Sequence, residues 1–62
     1  MNLMEDVVEK TFDMAFLIED LREIWRKTAP FHKLSEEEKE QVLGIIEGIK
    51  KNCDLISDRV SK

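Results

Sequence analysis

Thr28-Ala29-Pro30-Phe31-His32-Lys33-Leu34-Ser35-Glu36-Glu37-Glu38 is the stretch whose reading decides the fold. Pro30 has no amide hydrogen to donate and biases Ala29 away from the α conformation, so a helix arriving from the N-terminal side stops there. Five residues on, Ser35 and Glu38 have the spacing of a capping box. In that motif the serine hydroxyl accepts from the Glu38 amide, while the Glu38 carboxylate accepts from the Ser35 amide. One helix ends near residue 29 and another begins at 35.

On the N-terminal side, apolar and small residues recur at spacings of three and four: Met4, Val7, Thr11, Met14, Ile18, Leu21, Trp25 and Thr28. On the C-terminal side Val42, Ile46, Ile49, Cys53, Ile56 and Val60 repeat the pattern. Both are heptad-like patterns of the kind paired helices bury. No stretch alternates with period two, and the chain holds only two glycines and one proline, so strands have no support. Asn2 has the chemistry of an N-cap for the first helix. The spacing predicts a helix over about 2–29, a link over 30–34 and a helix over about 35–60, one helical-hairpin domain spanning 1–62. The fold class is all-α, and so short a link forces the helices antiparallel.

Charge agrees with that pairing. Each helix opens acidic (Glu5, Asp6 and Glu9; Glu36, Glu37, Glu38 and Glu40) and closes basic (Arg22, Arg26 and Lys27; Lys50, Lys51, Arg59 and Lys62). Each therefore complements its own dipole, and antiparallel packing sets acid beside base. Asp6/Lys10, Glu23/Lys27, Glu47/Lys51 and Asp58/Lys62 have the spacing of i,i+4 ion pairs.

The 62 residues carry a net charge of −4, with 42% hydrophobic and 39% charged side chains. That is too apolar for a disordered tail and too charged for a membrane protein. The longest apolar run, Met14-Ala15-Phe16-Leu17-Ile18, is far short of the roughly 20 residues that span a bilayer. An N-terminus with Glu5 and Asp6 and no basic region argues against a cleaved secretory signal. A single cysteine rules out an intramolecular disulfide, and a cytoplasmic location is expected.

Projected at about 100° per residue, the first helix is apolar over more than half of its circumference, which one neighbouring helix cannot cover. Val8, Phe12, Ala15 and Phe16 lie on one flank of its stripe, and Leu3, Leu17, Leu21 and Ile24 on the other. Gly44 and Gly48, on adjacent turns of the second helix, weaken it but would admit a close neighbour. A hairpin of this size is marginal alone, so two copies are expected to close a four-helix bundle. The candidate interface residues are Val8, Phe12, Ala15, Phe16, Leu17, Ile24, Gly44 and Gly48.

Residues that might carry chemistry are few. Cys53 sits on the apolar stripe of the second helix and reads as a small core residue. His32 lies in the link, and one cysteine with one histidine does not make a zinc site. Met4 and Met14 read as core filling, and Trp25, Phe31 and Leu34 as an apolar plug at the hairpin tip. The glutamate run at 36–40 reads as a helix start. Without a phosphate loop, a nucleophile motif or an acid–base set, no enzyme, metal or cofactor is expected. The expected function is a small acidic protein-interaction module (adaptor, inhibitor or regulatory subunit) acting as a homodimer. Two alternatives are an RNA-binding hairpin dimer, which the acidic balance opposes, and a small subunit of a heteromeric complex.

Overall fold

The computed structural model describes residues 4–61. Helix α1 spans Glu5–Thr28 and helix α2 spans Glu36–Val60, and the two pack against each other as a hairpin. Asn2 and Leu3 lie outside the described residues. The first described position before α1 is Met4, which supplies no side-chain cap.

The link behaves as its residues require. Ala29 is extended (φ −60°, ψ 151°), the conformation a following proline imposes. His32 takes a left-handed conformation (φ 54°), and its amide donates to the Thr28 carbonyl at 2.9 Å. At Ser35 the capping box forms in full. The Glu38 amide donates to the Ser35 hydroxyl at 3.1 Å and the Ser35 amide donates to the Glu38 carboxylate at 2.9 Å.

Three cross-helix contacts fix the register. Asp6 pairs with Arg59 at the open end, Leu17 meets Gly48 at mid-length, and Lys27 pairs with Glu38 at 3.9 Å near the link. In each, the two residue numbers add to 65, so the helices run in constant register from end to end. These contacts replace the pairs expected along single helices: Asp6 reaches Arg59 instead of Lys10, and Lys27 reaches Glu38 instead of Glu23. Lys10 and Glu23 turn to Asp13 and Arg26, three residues along. Lys62 lies outside the described residues.

The seam is rotated from the one the spacing suggests. The half-buried positions of α1 are Asp6, Val7, Met14, Leu21 and Thr28 with Lys10 and Leu17, around the buried Ile24. On α2 they include Val42, Ile49 and Ile56 with Glu38, Ile45, Asn52 and Arg59. Thr11, Ile18, Trp25, Cys53 and Val60, read as seam residues, are exposed. The expected tip plug is also only partial. Leu34 is half-buried, but Phe31 is 80% exposed. Trp25 instead meets His32 edge-on, with ring centroids 5.8 Å apart.

Candidate protein-interaction surface

Ile24, at 6% relative exposure, is the only buried side chain among the described residues. The chain exposes 5081 Å², whereas a folded monomer of its 7.3 kDa mass exposes about 4,200 Å². The radius of gyration is 14.4 Å, against about 10.6 Å for a compact domain of this length. Among the described residues Val8, Phe12, Phe16, Ile18, Leu43 and Val60 are each about half or more exposed, and clustered apolar surface on a small protein marks a contact region.

That surface has three parts, set by helix geometry. Val8, Phe12 and Phe16 follow one another at i,i+4 on the side of α1 turned away from α2; Phe12 is 61% and Phe16 71% exposed. Ala15 is exposed beside them. A second part flanks the seam, where Met4, Thr11, Ile18 and Trp25 stand on α1, and Ile46, Cys53 and Val60 on α2. Each of these rows follows a seam row by four residues, the same rotation on two antiparallel helices, so both rows fall on one side of the hairpin. The Cys53 thiol lies 3.6 Å from the Met14 thioether there and is exposed. Ile18, Leu21, Trp25 and Ala29 floor a groove of about 410 Å³, edged by Arg22, Arg26 and His32.

The third part lies across the seam from the second. It is a groove of about 530 Å³ whose apolar walls, Leu17, Ile24 and Ile45, are bordered by Asp20, Glu23 and Lys27. Gly44 opens onto this groove with nothing within 4 Å of where a Cβ would stand, whereas a Cβ on Gly48 would meet Leu17 Cδ1 at 3.1 Å. The close approach at Gly48 is thus intramolecular.

The candidate interface residues therefore separate. Leu17, Ile24, Gly44 and Gly48 gather along the seam and its groove, with Ile24 committed to the hairpin's own core. Val8, Phe12, Ala15 and Phe16 share the outer side of α1. Ile18, Trp25, Cys53 and Val60 are exposed residues that sequence reasoning placed in the core, while Ile46 is half-buried like Val42 and Ile49. Their period of seven was the signal, since it continues a second row beside the seam.

Electrostatics add no reactive centre. Glu38 is held below its ordinary value of 4.5 by the Ser35 amide first; desolvation opposes this, and the Ser35 hydroxyl and then Lys27 lower it further. Arg22, Arg26, Lys39, Lys27, Lys10 and Arg59 each stand beside a carboxylate. Among the described residues no three His, Cys, Asp or Glu side chains converge as metal ligands. Nor is any described helix long and apolar enough to cross a membrane.

Fold and surface define an antiparallel helical hairpin with more apolar surface than it covers. No family model matches the chain, and no curated protein or solved structure matches it either.

Proposed function

We propose that this chain is a small acidic protein-interaction module that acts as a homodimer, two hairpins closing a four-helix bundle. The observation that carries this reading is that Ile24 is the one buried side chain among the described residues of a protein that is 42% hydrophobic. One hairpin cannot bury enough surface to offset its ordering entropy, and association supplies the missing burial. Six of the ten basic side chains stand beside carboxylates and the chain carries a net charge of −4, which weighs against RNA as the ligand.

Folding and association are then linked, and the thermal midpoint depends on concentration. Calorimetry across a hundredfold dilution tests this: the midpoint falls on dilution if the reading holds and stays constant if the hairpin is stable alone. A second reading, a small subunit completed by a different chain, is favoured by the Val8, Phe12 and Phe16 row. That row points away from α2 and stays in water when two hairpins stack face to face. Recovery of one stoichiometric foreign protein from the native host would support it.

A further inference from the structure

We infer that the second copy docks on the side of the hairpin carrying Met4, Thr11, Ile18 and Trp25 of α1 with Ile46, Cys53 and Val60 of α2. The inference rests on the dimer reading above and assigns it a surface. Two features, spacing and shape, favour a second copy here over the two other apolar regions, and the exposed area is sufficient for one such interface.

The first is spacing. Residues 4, 11, 18 and 25 and residues 46, 53 and 60 each repeat every seven positions, one helical step beside the rows that already pack α1 on α2. In a bundle each helix presents two adjacent rows to two neighbours, so the second row has the period that another helix of this chain can match. The second feature is shape. The helices are nearly equal, at 24 and 25 residues, so two such layers end together, and the groove floored by Ile18, Leu21 and Trp25 gives a side chain of the facing layer somewhere to sit.

Over all its faces, polar surface included, the chain exposes about 900 Å² more than a folded monomer of its mass, enough to supply one standard interface of roughly 800 Å² per partner. Ile18 at 54% and Val60 at 62% exposure have the most to gain there. Both grooves have charged neighbours, but Arg22 and Arg26 turn almost only apolar atoms to the groove at Trp25, whereas the groove beside Gly44, with Asp20, Glu23, Lys27 and Gln41 in its lining, presents polar atoms that a second copy would have to desolvate. The Phe12 and Phe16 row is a single stripe on one helix and offers no layer for two helices to cover.

Sedimentation equilibrium on Ile18→Glu and Phe16→Glu separates the faces. Ile18→Glu should weaken association by about a hundredfold or more, the effect of an unpaired charge in a buried contact. Phe16→Glu, on the outer side, should change it by less than about threefold. Equal loss in both variants, or none in Ile18→Glu, overturns the assignment.

Because folding and association are coupled, the wild-type protein supplies a check that needs no mutation. Cys53 is exposed in the hairpin, so a second copy on this face should slow its reaction with a thiol reagent by about tenfold or more relative to the urea-unfolded chain. In a Cys53→Ser background, Phe16→Cys should react at close to the unfolded rate. A wild-type protein that sediments as a dimer while Cys53 reacts at the unfolded rate overturns the face and leaves the dimer. One that sediments as a single chain at every concentration overturns both.

Discussion

At Ser35 the chain passes from link to helix with its amide and hydroxyl both held by Glu38, and that reciprocity makes the cap sensitive to acid. The Ser35 amide, its hydroxyl and Lys27 all favour the carboxylate, so Glu38 titrates lower in the folded chain than in the unfolded one. A group of this kind contributes stability that is fully present above its unfolded value. The contribution is lost as pH falls from there through the folded value. Urea melts between neutral pH and pH 3 should therefore show a loss of stability beginning near pH 4.5. Glu38→Gln keeps the capping geometry without the titration and should lose less over that interval; an identical acid limb in both proteins would remove Glu38 from the account. The two helix-interior glycines part at the same scale. Gly44→Ala has open space and should stabilise the fold by about 0.5–1 kcal/mol, whereas in Gly48→Ala the Leu17 side chain must give way. Chemical denaturation of the two variants measures this. Destabilisation by Gly44→Ala would mean that another backbone approaches the groove it lines. Ser35 with Glu38 was legible in the sequence because a capping box is local. The separate surroundings of Gly44 and Gly48 were not, because they depend on which residue of α1 stands opposite.

Among the described residues Ile24 is the most deeply buried side chain of α1. Its burial predicts that Ile24→Ala destabilises the hairpin by about 2 kcal/mol or more. Phe16→Ala, on the outer side, should change stability by less than about 0.5 kcal/mol. Equilibrium unfolding of both variants tests the seam, and a larger loss at Phe16 would show that the outer side of α1 is covered. Helix existence, the break at Pro30 and the antiparallel pairing could all be read from spacing and link length. The seam could not, for a physical reason. The apolar arc of α1 is so wide that Met14 and Leu21 fit equally well with Ile18 and Trp25 or with Leu17 and Ile24. What decides is cross-helix: Asp6 reaching Arg59, Leu17 against Gly48 and Lys27 reaching Glu38 turn the helix toward Leu17 and Ile24. Lys10 joins the seam because its methylene stem packs while its ammonium turns to Asp13. A search for apolar residues alone passes over it.

At the scale of the whole molecule, the hairpin measures 47 × 15 × 14 Å, a two-helix layer with no second layer on either side. That a single hairpin leaves α1 underburied was evident from the width of its apolar arc. Which side takes the second copy became apparent only with the register, because only then did the row containing Ile18 and the row containing Cys53 fall on the same side. Sedimentation equilibrium of the wild-type protein over a hundredfold range of concentration reads the association itself. A homodimer moves from the mass of one chain, 7.3 kDa, to twice that value as concentration rises, with helix content rising alongside it. A mass of 7.3 kDa at every concentration, with full helix content throughout, would contradict it.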